Sequence, residues 1–219
     1  ILFDYFKGTL PEFPAGKPLF IFASHFHADH YAPVIFQLGE KRENVFYILS
    51  KEIGKKIPEE YRKRYKDRIR LVKAGERFCL NISEESLIVE TFHSTDEGVA
   101  FWLSCEGKEI YHAGDLNNWW WEGEDMAWNR NMAASYKQEM KKLSGRTADL
   151  AFIPVDPRQE QWFYLGAAGF MEQADTKWIF PMHFWEDYTI IPKLIEHPSS
   201  EGWRDRIVEI HKEGEEFIR

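Results

Sequence analysis

The sequence predicts an α/β fold. Short apolar runs typical of buried strands recur along the chain, and segments with helical periodicity lie between them. The chain has 219 residues, and neither a Ser/Gly-rich linker nor a repeat of fixed period divides it. We therefore expect a single domain over residues 1–219. Periodicity alone leaves two arrangements open, a doubly wound sheet and two sheets packed between helices.

The amino-terminal part alternates between strands and helices. A buried strand precedes a helix in which Val34, Ile35 and Leu38 lie on one side. The predicted elements, in order, are a short strand in "ILFDY", the strand "LFIFAS", the helix in "YAPVIFQLGEKREN", the strand "VFYILS" and a charged helix around 58–67.

From residue 69 the pattern changes to short strands separated by turns, and later returns to alternation. The clearest helix covers 124–143 and ends before Gly145, a plausible stop signal. The strands before it are "IRLVKAG", "RFCL", "SLIVETFH", "VAFWLSCEG" and "KEIYHAGD", with a hairpin turn at "EGK". After it come the strand "DLAFIPV", a helix near 165–175, the strand "KWIFPMHF", a helix near 188–197, and the strands "RIVEIHK" and "EEFIR".

Composition narrows the possible functions. No apolar stretch approaches the ~20 residues that a membrane span needs, so we expect no membrane partner. The formal net charge of -8 counts against nucleic acid as a partner, because phosphate contacts need clustered Lys and Arg. Two cysteines and the lack of a visible secretory signal fit a cytoplasmic location.

Residues 24–30 read "SHFHADH" and directly follow a buried strand. His25 and His27 are two apart, so on an extended segment their side chains project to one side and can meet one ion. Asp29 and His30 continue into the following turn and can diverge toward a second ion. The alternative is a polar loop without a ligand, which three histidines and an aspartate at this spacing count against. Such donors suit Zn(II), and also Mn(II) or Fe(II).

The pattern His-x-His-x-Asp-His after a strand resembles the signature of the metallo-β-lactamase superfamily. The segments "TFHS", "YHAGD" and "FPMHF" then supply His93, Asp115 and His183 in the expected order, each at the end of a strand-like run. The spacing looks most like the branch that includes the ascorbate-6-phosphate lactonase. The resemblance implies a four-layer αββα sandwich in which the first strands, which normally precede "ILFDY", are missing at the N-terminus.

The resemblance also implies a set of metal ligands. Asp4 would support the metal-binding loop from behind, and His112 is a candidate for the same role. The commoner interpretation of His112 is a buried histidine bonded to a neighbour. The implied ligands are His25, His27 and His93 on a first metal, Asp29, His30 and His183 on a second, and Asp115 bridging both.

Two divalent ions about 3.5–4 Å apart can share a hydroxide, because metal binding lowers the pKa of water to about 7. We expect this hydroxide to attack the substrate, with Zn(II) as the first choice of metal and Asp29 and Asp115 as candidate catalytic residues. Flavin-linked di-iron relatives carry glutamate in place of the second histidine of the signature. His27 therefore favours hydrolysis over redox chemistry.

Aromatic residues are the first candidates for the substrate pocket. Trp119 and Trp120, in "NNWWW", directly follow the predicted bridging aspartate, and Tyr164 belongs to a second aromatic group. An equally good interpretation is that the tryptophans pack a helix onto the sheet.

Three polar positions have two interpretations each. Arg158, in "VDPR", could hold a carboxylate or phosphate beside Asp156, although Asp-Pro-Arg is also a plain turn. Asp96 and Glu97, just beyond His93, could relay protons or fix a metal ligand, although an acidic turn is the commoner meaning.

These observations predict a metal-dependent hydrolase that cleaves a small ester, lactone or phosphodiester. One alternative is a nuclease of the same superfamily, which the lack of a basic face counts against. Another is a metal-binding or sensing protein without turnover, which the complete ligand set weakens. We expect a small-molecule substrate, and the sequence leaves the oligomeric state open.

Overall fold

A computed structural model describes residues 1–14, 16–82 and 85–218. Its first sheet has four parallel strands in the order β1-β2-β3-β4. Helix α1 connects β2 to β3, and a 3₁₀ segment at Lys51–Lys55 and helix α2 connect β3 to β4. The bounds are β1 Leu2–Phe3, β2 Leu19–Ala23, α1 Ile35–Lys41, β3 Val45–Ser50, α2 Glu59–Arg64 and β4 Ile69–Val72.

The second sheet has six strands in the order β10-β9-β8-β7-β6-β5. Strands β5 to β8 are antiparallel, and the predicted turn "EGK" joins β7 to β8. Strands β8, β9 and β10 are parallel, because helices connect them. The bounds are β5 Arg77–Ile82, β6 Glu85–His93, β7 Val99–Cys105, β8 Lys108–His112, α3 Met126–Lys141, β9 Thr147–Pro154, α4 Leu165–Met171, β10 Asp175–Met182 and α5 Ile190–Glu196.

Successive side chains of a strand point to opposite faces of its sheet, so apolar residues cover both faces. They form three apolar layers between the four layers of helices and sheets. In β2, Leu19 and Ile21 pack with the residues of α1, whereas Phe20 and Phe22 pack with the second sheet. In β7, Phe101 faces the first sheet, and its neighbours on the other side of the strand pack toward α3, α4 and α5. The predicted α/β class and the four-layer αββα arrangement are confirmed.

Helix α3 matches its prediction to within two residues at each end. The Asp125 side chain accepts a hydrogen bond from the Trp128 backbone and caps the helix. Tyr136 and Met140 pack into the core, whereas Trp128 stays 38% exposed near the amino-terminal end of the helix. None of the described helices is long and apolar enough to cross a membrane.

The prediction of two strands after α5 is wrong. In place of "RIVEIHK" the chain forms a 3₁₀ turn at Arg204–Arg206 and one isolated bridge from Ile207 to Ile179 of β10. Residues 209–218 carry no strand. Alternating apolar residues favour extended backbone, but a strand also needs a partner along its length. Among the described residues, this segment forms a single β-bridge with β10, at Ile207.

Candidate metal centre

The loop 24–30 leaves β2 at its carboxyl end and is fixed by the turn that precedes β7. The Val99 backbone donates a hydrogen bond to the Ser24 carbonyl at 3.0 Å. Gly98 has φ +73, and a Cβ there would lie 2.0 Å from the Ser24 carbonyl oxygen. Only glycine fits this contact. The close approach places His25, which is completely buried, under the turn.

Asp115 lies at the middle of the cluster, just beyond β8. Its Oδ2 is 3.4 Å from His25 Nε2. Its Oδ1 is 3.2 Å from His30 Nε2 and 3.5 Å from His183 Nε2. The two oxygens of one carboxylate therefore face different imidazoles, one on the side of Oδ2 and two on the side of Oδ1, and this side chain is only 4% exposed.

Three overlapping groups of side chains bring donor atoms to within 4.8 Å of one another and could hold metal ions. His30 Nε2 and Asp115 Oδ1 are buried atoms without a hydrogen-bond partner, although they lie close together. Unpartnered buried polar atoms are costly, and a bound cation would satisfy both. Nitrogen and oxygen donors of this kind suit divalent metals. The groups are His25–His30–Asp115, Asp29–His30–His183 and His27–Asp96–Asp115.

Two further carboxylates orient the imidazoles from behind. Asp4 accepts hydrogen bonds from the backbone and the hydroxyl of Ser24, both at 2.7 Å, and lies 2.7 Å from His30 Nδ1. Asp156 lies 2.9 Å from His183 Nδ1. Since a carboxylate only accepts, each Nδ1 carries the proton and each Nε2 points toward the donor cluster.

The ionised carboxylates of the cluster favour the binding of a cation. Burial opposes the protonation of His30, but Asp115, Asp29 and Asp4 outweigh it and raise its pKa to about 12. Burial would raise the pKa of Asp4, yet the hydrogen bond from His30 and nearby charge lower it to about 2. The pKa of Asp115 is lowered too, since the surrounding histidines outweigh its burial. Three ionised carboxylates thus surround His30.

His183 reaches the cluster from an unusual backbone. It follows β10 with φ 64, in the left-handed region, and Trp185 and Glu186 share this region at φ 52 and 63. Non-glycine residues rarely adopt it, and a run of such residues stores strain. The left-handed turn brings the imidazole back over the end of the sheet, where Trp119 contacts it edge-on at 5.3 Å.

The structure brings together every predicted ligand except His93. His93 is exposed at the end of β6, and its Nδ1 lies 2.5 Å from the Ser94 carbonyl oxygen. Asp96, three residues further, lies in the cluster with His27 and Asp115. Burial and the charge of Asp115 raise the pKa of Asp96.

Neither a protein-family model nor a curated protein matches the sequence. Among solved structures, CmlA, a diiron β-hydroxylase from Streptomyces venezuelae, superposes with a TM-score of 0.52 at 12% identity. The alignment covers 88% of this chain and 43% of CmlA. The chain therefore spans less than half the length of that protein, and the likeness shows the fold alone.

Metallo-β-lactamase fold proteins are among the solved structures that the chain resembles. YhfI from Bacillus subtilis, a metallo-β-lactamase fold protein, aligns at 12% identity over 78% of this chain and 66% of its own, with a TM-score of 0.42. The short form of human tRNase Z aligns at 15% identity over 78% and 74%, with a TM-score of 0.38. The lactonase branch within the superfamily stays a prediction.

The donor cluster opens into a cleft of about 410 Å³. Trp119 and Arg158, both predicted, line it. The sequence did not single out the other large residues of the wall. The sequence position of Trp185, two residues after the predicted ligand His183, could have indicated that it lies beside the metal site. These other wall residues are Trp121, Trp128, Met132 and Trp185.

Two predicted pocket residues lie elsewhere. Trp120 packs on Trp162 at 5.3 Å, because Trp119 and Trp121 project to one side of the extended segment and stack on each other. Tyr164 stacks on His197 at 4.0 Å. Neither residue is among those that line the cleft.

His112 is buried behind the cluster rather than in the cleft. It accepts a hydrogen bond from the Gly114 backbone at 3.2 Å and stacks on Phe3 at 4.4 Å. Burial lowers its pKa to about 4, so it is neutral at pH 7. These contacts match the interpretation of a buried histidine satisfied by its neighbours.

A larger hollow of about 520 Å³ lies on the second sheet, away from the donors. Arg146 makes two hydrogen bonds to Glu90 there, at 2.7 and 3.1 Å. The main charged side chains that line this hollow pair with each other, and none of the three metal-binding groups borders the hollow. The cleft beside Asp115 is therefore the candidate active site.

Proposed function

We propose that this chain is a dinuclear metal-dependent hydrolase that cleaves a small ester, lactone or phosphodiester. The observation that carries the proposal is Asp115, whose Oδ2 faces the imidazole of His25 while its Oδ1 faces those of His30 and His183. The pair of ions, with Zn(II) as first choice, would supply a hydroxide nucleophile at neutral pH and polarise the substrate oxygen.

The protein groups around the ions have separate roles in this proposal. Asp115 would hold both ions, and Asp29 would join His30 and His183 on one of them. Asp4 and Asp156 would keep the imidazoles of His30 and His183 aimed at the metals. No serine or cysteine nucleophile is required.

Arg158 supplies positive charge at the cleft wall. Its Nε and Nη2 bind Asp156 at 2.5–3.0 Å, and its guanidinium lies over Trp185 at 4.6 Å. This double anchoring holds the charge beside the donors, where it would attract an anionic substrate oxygen.

The cleft favours a small substrate with a flat or apolar part. Its volume of about 410 Å³ lies within the range of small-molecule pockets, about 300–1,000 Å³. Trp119 and Trp121 stack on each other with ring centroids 5.7 Å apart and form one face of its wall. Such rings bind planar or apolar groups by stacking and burial.

A second candidate is a di-iron centre with redox chemistry. The group His27–Asp96–Asp115 has two carboxylates for one imidazole, a composition that also suits iron. CmlA, with which the chain shares its fold, is a diiron β-hydroxylase. Hydrolysis remains the first candidate, since it requires no external electron donor.

Metal content and turnover test the two candidates together. Purified protein is analysed for bound metal, reconstituted with Zn(II), Mn(II) or Fe(II), and assayed against nitrophenyl esters, lactones and bis-nitrophenyl phosphate. We expect hydrolysis that is lost in Asp115→Asn and kept in the surface control His211→Gln. Less than about one metal per chain after supplementation would contradict the proposal. Oxygen consumption by the iron form, without hydrolysis, would favour the second candidate.

A further inference from the structure

We infer that Asp96, rather than His93, is the ligand that completes the metal position formed by His27 and Asp115. The inference rests on the proposed metal centre and changes its composition. The first metal would be bound by a carboxylate where the family resemblance implies a third imidazole.

The donor atoms of His27, Asp96 and Asp115 lie within 4.8 Å of one another. All three residues line the same cleft. Asp115 is more than nine-tenths buried, and it belongs both to this group and to the group with His25 and His30. An imidazole beside two carboxylates, one of them buried, is a donor set that suits a divalent cation.

His93 is held away from this cluster. Its backbone pairs with Val99 at the end of the ladder between β6 and β7 and donates a hydrogen bond to Glu139 at 3.2 Å. Lys142 in turn fixes Glu139 through contacts of 2.6 and 2.7 Å. The side chains of His93 and Asp96 are both exposed, but of the two only Asp96 lines the cleft. The Nδ1 atom of His93 lies against the Ser94 carbonyl oxygen instead, at 2.5 Å.

Asp96, by contrast, is fixed between the two loops that carry the other ligands. Its backbone donates to the Ser94 hydroxyl at 3.2 Å, which closes the turn. Thr95 next to it donates to the Asn117 carbonyl at 2.5 Å and accepts from the Asn117 backbone at 3.0 Å. That bond ties the turn to the loop of Asp115.

On its other side, the turn is tied to the histidine loop. Gly98 lies against Ser24 and His25 so closely that a Cβ would meet both. The turn that carries Asp96 therefore contacts both ligand-bearing loops, and its carboxylate faces the space between them. A carboxylate is a harder ligand than an imidazole. At the first metal position it raises the affinity for Mn(II) or Fe(II) relative to a site made of imidazoles alone.

Metal titration of four proteins tests the inference. Metal-free wild type, Asp96→Asn, His93→Gln and the control Glu97→Gln are titrated with Co(II) and Zn(II). Glu97 is exposed beside Asp96 and belongs to none of the metal-binding groups among the described residues. The readouts are metals per chain after gel filtration, the dissociation constants, and the visible absorption of the Co(II) form. Thermal melting of the metal-free proteins checks that each variant folds.

We expect two metals in wild type, His93→Gln and Glu97→Gln. Asp96→Asn should bind one of them more than about 100-fold more weakly, since even residues that only orient a ligand typically contribute about 10–100-fold. Its Co(II) spectrum should change while that of His93→Gln does not. Loss of a metal in His93→Gln, alone or together with Asp96→Asn, overturns the inference and leaves the metal centre standing. A wild type that binds no metal overturns both.

Discussion

His30 is the residue at which protons and metal ions compete most directly. Without metal, its pKa is raised to about 12, because three carboxylates outweigh the effect of burial. It is therefore protonated at pH 7. Metal coordination needs the neutral imidazole, so binding must displace that proton.

We predict that metal binding at pH 7 releases a proton, and that affinity rises as the pH rises. Calorimetric titration in two buffers of different ionisation enthalpy measures the release as a difference in apparent heat. His211→Gln, a change at an exposed histidine far along the chain, should give the same difference as wild type. Equal heats in both buffers would contradict the prediction.

Asp156 acts on the metal through His183. The hydrogen bond of 2.9 Å to Nδ1 fixes the ring, and burial of Asp156 is outweighed by His183 and Arg158, so its pKa falls to about 2. We predict that Asp156→Asn weakens metal affinity by about 10–100-fold while the protein stays folded. Competition with a chromophoric chelator measures the change. Asp205→Asn, at an exposed aspartate, should leave affinity unchanged.

Among the elements, the turn before β7 and the end of β2 form one unit. Gly98 adopts φ +73, and the Ser24 carbonyl oxygen lies 2.0 Å from the point that a Cβ would occupy. Gly75 adopts φ +80, and a Cβ there would meet no atom within 4 Å. The two glycines share the backbone requirement and differ only in the contact. Comparing substitutions at the two glycines therefore separates the cost of the left-handed backbone from the cost of the steric clash.

We predict that Gly75→Ala loses about 1–2 kcal/mol, the usual cost of the left-handed conformation. Gly98→Ala should lose more and should also bind metal more weakly, because the new methyl group displaces His25. Denaturant unfolding and metal titration of both variants give the comparison. Equal losses, with metal binding intact in both, would contradict it.

The sequence predicted most elements, since hydrophobic periodicity is local and strong in β2, β3 and α3. It failed after α5, where a strand depends on a distant partner, and at Trp120, whose direction depends on the backbone of a loop. The choice between one sheet and two came from the resemblance. For the ligands, the dense motif 24–30 was informative by itself.

The difference between His93 and Asp96 could not be predicted from spacing. His93 ends β6 and Asp96 lies three residues beyond it, and histidine is the commoner metal ligand of the two. Which side chain faces the cleft depends on the turn 94–97 and on the contact of β6 with α3. These are tertiary contacts that no local pattern encodes.

Across the molecule as a whole, the two sheets are joined by an apolar layer in which Phe101 is central. Its side chain is completely buried and packs edge-on against Phe22 at 5.1 Å, with Phe3 at 6.4 Å. The layer thus links a strand of the second sheet to the two strands that precede the histidine loop.

We predict that Phe101→Ala lowers the free energy of unfolding by about 3–5 kcal/mol, through lost burial and the cavity left behind. Denaturant unfolding of the metal-free protein measures the loss. Ile218→Ala is the control, because that side chain is 96% exposed and its removal should change stability by less than about 0.5 kcal/mol.

The left-handed backbone at His183 limits how the centre can evolve. Besides glycine, the residues that tolerate φ 64 best are asparagine, aspartate and histidine itself. Aspartate is the one replacement among them that keeps a strong metal donor. A lineage that exchanges its metal can therefore trade imidazole for carboxylate at this position by a single substitution, whereas most other replacements would lose the ligand and strain the loop at once. At the end of β10, the last strand, the fold thus tolerates one substitution that changes the ligand type and keeps the metal site.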